Sequence, residues 1–122
     1  MSSQFISGGG SLPVFIKYDT DDKTLYSILS KVNGVFFTGG GLDLYLDCDN
    51  NVPHRYTQTA LKIYKYAKKM NDQGIYFPVM GVCQGYELMH IMESEDCHAL
   101  GYSNLVNENL NTKLTDYESR LF

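Results

Sequence analysis

A chain of 122 residues with 43% hydrophobic content has room for one core and not for two independent ones, because a domain this size buries roughly two thirds of the surface its unfolded chain exposes. Ten basic residues against 14 acidic ones leave a net charge of -4, with no convergent basic stripe, which argues against nucleic acid as a partner. No stretch approaches the about 18 apolar residues that cross a bilayer, and no basic segment followed by an apolar run marks a signal peptide, so no membrane role is expected.

In chain order, a small, flexible opening precedes Leu12-Pro13-Val14-Phe15-Ile16-Lys17-Tyr18, an apolar run suited to a buried strand. Asp19 to Asp22 supply cap oxygens for a helix whose Leu25, Ile28, Leu29 and Val32 recur at helical spacing. Asn33-Gly34 stops that helix and releases the chain into Val35-Phe36-Phe37, a second buried strand. Thr38-Gly39-Gly40-Gly41 follows, then Leu42 to Leu46 and an Asp/Asn-rich loop. A triple glycine permits tight turns and close backbone approach, but by itself it is equally a plain flexible turn.

Beyond Pro53, Tyr56, Ala60, Ile63, Ala67 and Met70 alternate by four and three residues and draw one apolar stripe along a helix. Lys62, Lys65, Lys68 and Lys69 read as its solvated face. Asn71 to Gly74 ends the helix, and Ile75 to Met80 forms another apolar strand in which Pro78 must lie where the ladder can spare a donor. A helix from Gln84 to about Glu93 comes next, then short strands around Cys97 to Tyr102 and Leu105-Val106, and a poorly defined tail over 107–122. Strands alternating with helices predict an α/β fold, a partial three-layer sandwich with a mostly parallel central sheet.

The chemistry concentrates at Val79-Met80-Gly81-Val82-Cys83-Gln84-Gly85-Tyr86-Glu87-Leu88, where a strand meets a Gly-x-Cys-x-Gly turn and then a helix. Gly81 and Gly85 allow a sharp turn that lifts Cys83 above the sheet edge, as a serine is lifted in hydrolase elbows. The amino end of the following helix favours an anion there, so Cys83 is the candidate nucleophile, with the Gln84 backbone N–H as an oxyanion donor. The glycine loop leaves the same carboxyl-terminal sheet edge, where Gly40 or Gly41 supplies a second donor. The competing reading is a small buried cysteine at an ordinary turn.

A cysteine hydrolase also needs a base, usually histidine. His90 lies seven residues after Cys83 on the same helix, about 10 Å along the axis, and His54 and His98 have no better claim. Glu87, one turn after Cys83, orients substrate or serves the helix surface, and Asp43 lines the cleft or a local turn. Tyr45 and Tyr86 line a pocket or pack as ordinary aromatics. Cys48 and Cys97 have no elbow geometry and read as noncatalytic; three cysteines allow at most one bridge, and none shows metal-ligand spacing.

The segments Val32-Asn33-Gly34-Val35-Phe36-Phe37-Thr38-Gly39-Gly40, Asn71-Asp72-Gln73-Gly74-Ile75-Tyr76-Phe77-Pro78-Val79 and Met80-Gly81-Val82-Cys83-Gln84-Gly85-Tyr86-Glu87 together resemble the gamma-glutamyl hydrolases, class I glutamine amidotransferase-like cysteine peptidases of type C26. The resemblance covers roughly Leu12 to Cys97. It implies a partial class I glutamine amidotransferase-like domain over 1–122, in which Cys83 attacks the γ-glutamyl amide of a folylpoly-γ-glutamate or related small conjugate. Gly40 and Gln84 would then stabilise the oxyanion, with Gly39, Gly41 and Glu87 as candidate substrate-binding residues.

The resemblance implies no cofactor and no metal, a lysosomal, vacuolar or extracellular location, and leaves a homodimer of the intact family protein open. The family's catalytic histidine and its acidic partner lie farther downstream than the 39 residues after Cys83, and its first strand precedes the position matching Ser11. The expectation is therefore a fragment with little activity alone. Two other classes stay open: a noncatalytic α/β binding or regulatory module, and the glutaminase part of an amidotransferase.

Overall fold

Glycine placement punctuates the chain twice in the same way. The computed structural model describes residues 2–101, and its first helix, α1 (Ser2–Gly8), closes where Gly10 turns to φ +83°. There Ser11 N–H reaches the carbonyl of Ile6 and Gly10 N–H that of Ser7, the paired bonds of a Schellman ending. The expected flexible opening is thus helical up to its glycines, with the Phe5 ring 6.1 Å from that of Phe36. Gly74, at φ +77°, ends the long helix α3 (Arg55–Asp72) with the same pair of bonds, Ile75 to Met70 and Gly74 to Asn71.

The second helix, α2 (Asp22–Leu29), starts at Asp21, whose carboxylate accepts from Thr24 N–H at 3.0 Å. The Thr24 hydroxyl, and after it this N–H, hold the Asp21 carboxyl below its ordinary pKa. The chain then enters β1 (Val35–Phe37), which pairs in parallel with β4 (Val79–Gly81) in the register Val35 to Val79, Phe36 to Met80 and Phe37 to Gly81. Pro78 sits just outside the ladder and contributes its carbonyl to Val35 N–H at 2.9 Å, so its missing donor is spared as the sequence requires.

Between these strands lies a separate antiparallel hairpin, β2 (Tyr45–Asp47) and β3 (Val52–Pro53). Its turn is built by the Asp47 carboxylate, which accepts from Asn50 N–H at 3.0 Å and from the Asn50 side chain at 2.7 Å, and by Asn51 at φ +53°. The final helix, α4 (Gln84–Ser94), packs against β1 and β4 on one side and α3 on another. Leu25, Leu29 and Leu88 are wholly buried in the shared core, with Ala60, Ile63 and Ala67 bringing the α3 stripe into it as its spacing predicts.

Three further expectations are corrected. Leu12 to Tyr18 forms no strand: Leu12 is 93% and Phe15 78% exposed, and only Ile16 packs on the core. An apolar run signals burial, but a strand also requires a neighbouring backbone in register; here the Tyr18 carbonyl is taken instead by the Thr59 hydroxyl at 2.6 Å. The strand placed at Ile75 to Met80 begins four residues later, because the Asn71 side chain occupies both Phe77 N–H and Phe77 carbonyl, at 3.0 and 2.8 Å.

No strand forms over the described part of Cys97 to Tyr102, which is turn and irregular chain; Tyr102, Leu105-Val106 and the tail lie outside the described residues. The observed architecture is α/β with a two-stranded parallel sheet and a hairpin. The lysine face is also more specific than solvation alone. Lys62 pairs with Asp22 at 2.5 Å and Lys68 with Glu93 at 2.9 Å, tying α3 to α2 and α4.

Candidate active site

The Gly-x-Cys-x-Gly segment folds as an elbow because both glycines are needed for contact, not for flexibility. A Cβ on Gly81 would stand 2.4 Å from the Gly85 carbonyl oxygen, and one on Gly85 would stand 2.2 Å from that of Phe37. Strand β4 therefore turns into α4 with backbone pressed against backbone, and Val82 N–H extends the ladder to the Phe37 carbonyl at 3.1 Å. Cys83, at the turn, adopts φ 54° and ψ -123°. That conformation is costly for any residue bearing a Cβ, on the order of 1–3 kcal/mol, and such strain gathers at functional positions.

Cys83 is a free thiol, exposed, at the N-cap position of α4, and its carbonyl accepts from Tyr86 and Glu87 N–H. The glycine loop comes up beside it. A Cβ on Gly39 would lie 3.1 Å from the Cys83 Cβ and 3.7 Å from its sulfur, so the absent side chain is what lets the loop backbone reach the thiol. Gly40 follows against the Gln84 side chain, and Gly41 borders open space. Among the described residues the backbone N–H groups of Gly40 and Gln84 donate to no protein acceptor, which leaves them available to an anion.

The other candidates fall elsewhere. His54 accepts from Tyr56 N–H through Nδ1 at 3.0 Å and caps α3. His98 pairs through Nε2 with Asp49 at 3.3 Å, and His90 stands exposed on α4. Glu87 and Asp43 are exposed, Tyr86 is 66% exposed, and Tyr45 is half-buried in the hairpin. Cys48 and Cys97, separated by 49 residues, are joined in a disulfide with Cα atoms 5.9 Å apart. Their ligand atoms and that of His98 lie within 4.8 Å of one another, but sulfurs bonded to each other offer no thiolate to an ion.

Two features were not visible in the sequence. One is the bridge, since three cysteines leave three pairings open. The other is the Gln84 side chain: its Oε1 accepts from Leu42 N–H at 3.1 Å, and its Nε2 donates to the Leu42 carbonyl at 2.6 Å. A partner 42 residues away leaves no local pattern to read.

A strained exposed cysteine between an elbow and a glycine loop is a geometry in which covalent acyl transfer is chemically possible. The Peptidase C26 family model matches residues 1–97. The chain belongs to the peptidase C26 family. It is similar to gamma-glutamyl hydrolase 1 of Arabidopsis thaliana, 36% identical over 93 residues, 76% of this chain and 24% of the relative. The human gamma-glutamyl hydrolase is 28% identical over 94 residues, 77% of this chain and 27% of that protein. The rat gamma-glutamyl hydrolase is 31% identical over 121 residues, 98% and 36% respectively. The chain thus spans between 24% and 36% of the length of these curated relatives.

Proposed function

We propose that this C26 chain carries the nucleophile and oxyanion half of a cysteine-dependent hydrolase of γ-glutamyl amide bonds, with folylpoly-γ-glutamates as the substrate class. The observation behind this reading is the exposed Cys83 at φ 54°, with Gly39 so close that a Cβ on it would crowd the Cys83 Cβ. In the reaction the sulfur attacks the γ-carbonyl carbon, and the carbonyl π pair moves to oxygen, where the N–H groups of Gly40 and Gln84 receive it. The pair returns as the C–N bond breaks, the amine leaves with a proton, and a thioester remains. Water then adds to the thioester and releases a carboxylic acid and the thiol. Gly39, Gly41 and Glu87 border the substrate.

Both proton transfers need an acid-base group near the sulfur, and such a group contributes about 10²- to 10⁴-fold. His54 and His98 are engaged elsewhere, and His90 lies two turns along α4. The proposed consequence is that the 122-residue chain captures γ-glutamyl electrophiles but turns over amides poorly. The test is intact-mass analysis after treatment with a γ-glutamyl chloromethyl ketone, alongside chromatography of pteroyl-oligo-γ-glutamate. One adduct at Cys83, absent in Cys83→Ala, is expected, with little glutamate released. Robust turnover abolished by Cys83→Ala would place a base within this chain and overturn the second part; no adduct at Cys83 would overturn the first.

A further inference from the structure

The Gln84 carboxamide holds both backbone groups of Leu42 at once, the N–H at 3.1 Å and the carbonyl at 2.6 Å. This is how one strand residue pairs with another, except that a side chain takes the partner's place. The loop it holds contains three consecutive glycines, the residues that lose most conformational freedom on ordering, about 1–2 kcal/mol of backbone entropy each or more. A loop of that composition does not keep its amides in one place unaided. The anchor is rooted on the residue directly after Cys83, so the loop is positioned relative to the thiol by the shortest covalent route the chain offers.

Gly40 shows that the fit is tight. A Cβ there would stand 2.9 Å from Gln84 Oε1, against the far end of a flexible side chain and no backbone. An added methyl would therefore displace the carboxamide and leave the rest of the loop sterically free.

We propose that the Gln84 side chain is the positioning residue of the site, a clasp that fixes the Gly40 N–H beside Cys83 where the acyl oxygen gathers negative charge. This rests on the acyl-transfer reading above. The residue then acts twice, its backbone N–H as an oxyanion donor and its carboxamide as the tie on the opposite donor. Misplacing a donor by about 1 Å is enough to weaken transition-state binding by about a hundredfold.

The experiment separates the clasp from the chemistry. Hydrogen exchange at the Leu42 amide reports the clasp, iodoacetamide reports Cys83 access, and a γ-glutamyl aldehyde reports the oxyanion site. With the aldehyde, sulfur bonds to the carbonyl carbon, the π pair moves to oxygen and the thiol proton ends there, with no oxidant involved. In Gln84→Leu and Gly40→Ala, faster Leu42 exchange and aldehyde affinity lower by about 10- to 100-fold are expected, with the iodoacetamide rate within about twofold of wild type. Gln84→Glu keeps an acceptor for Leu42 N–H, but its ionised form loses the donor and sets a carboxylate oxygen against the Leu42 carbonyl, so Leu42 protection should be partly lost at neutral pH. As pH falls through the carboxylate range, about 4.3, the protonated form regains the donor and protection, taken relative to the intrinsic exchange rate at each pH, should recover.

Unchanged Leu42 exchange in Gln84→Leu overturns the clasp whatever the chain catalyses. Lost Leu42 protection with unchanged aldehyde affinity overturns its role at the oxyanion. A wild-type chain that reacts with iodoacetamide at Cys83 but does not retain the aldehyde overturns the acyl-transfer reading and the oxyanion role with it, even where the exchange data bear out the tie itself.

Discussion

The two ends of α4 are secured by opposite means. At its amino end the elbow is shaped by what is missing: no side chain at Gly81 or Gly85, so that the helix presses on β1 and β4 backbone to backbone. Three residues beyond its carboxyl end, Cys97 is bonded to Cys48 on the hairpin turn, and the Lys68–Glu93 pair ties its last turn to α3. One end carries an exposed thiol at φ 54° and ψ -123°; the other carries a covalent cross-link and no free thiol, with Glu95 turning the chain at φ 55°. A reactive group is best placed where shape is set by close approach, because the strain that exposes Cys83 must be held by rigid neighbours on both sides.

The largest break in this comparison comes from the cross-linked end. Closing a loop of 49 residues restricts the unfolded chain, and by the chain-entropy relation Cys48→Ser should cost about 4 kcal/mol, read as a lower denaturation midpoint. At 25 °C, in the population that remains folded, the iodoacetamide rate at Cys83 should stay within about twofold if the two ends are independent. A large fall in that rate would show that α4 transmits the bridge to the elbow.

Gly85→Ala attacks the other end. Its methyl would meet the Phe37 backbone at 2.2 Å, and relief requires parting helix from sheet. A loss of about 3 kcal/mol, at the upper end for overpacking, is expected together with altered Cys83 labelling. Retained stability would mean the junction is looser than its contacts imply.

Cys83→Gly should do the reverse of a usual cavity mutation. Relief of the φ 54° strain stabilises the fold by about 1 kcal/mol while removing all labelling without reductant. A destabilised variant would argue that the sulfur contributes packing.

The smallest effect is at Glu93. The Tyr64 hydroxyl, at 2.7 Å, and then the Lys68 ammonium hold its carboxyl below the usual range, while burial and Glu93 push the Tyr64 hydroxyl up to about 12. A lowered carboxylate pKa adds stability above the unfolded value, and that contribution is lost as pH falls through the folded one. Glu93→Gln should therefore match wild type in acid and fall slightly below it at neutral pH. The gap should narrow with salt, because the carboxylate is exposed. A gap that widens in acid would reverse the assignment.

Legibility followed the range of the interactions. Helix α3 was readable because its stripe, its ending at Gly74 and its boundary near Pro53 all act within a few residues. The elbow was readable for the same reason: Gly81, Cys83 and Gly85 sit within five positions. The Leu12 to Tyr18 segment misled because composition registers apolarity but not the presence of a neighbouring strand. The hairpin, the Cys48–Cys97 bridge and the Gln84 clasp depend on partners or turn geometry that no periodicity encodes, and Asn71 shifted β4 by taking the backbone groups of Phe77.

The exposed thiol and the disulfide together give this chain a history. In the folded state Cys83 and Cys97 flank an 11-residue helix, about 16 Å long, which keeps attacker and target apart. Once α4 melts, that spacing is gone, and the Cys83 thiolate can displace either bridged sulfur, so three pairings interconvert where one existed. Heating and cooling in neutral buffer should then return a mixture of bridged isomers, whereas the same cycle in acid, or with Cys83 capped, should return the starting material. Reversibility of unfolding is thus governed by the residue proposed to do the chemistry.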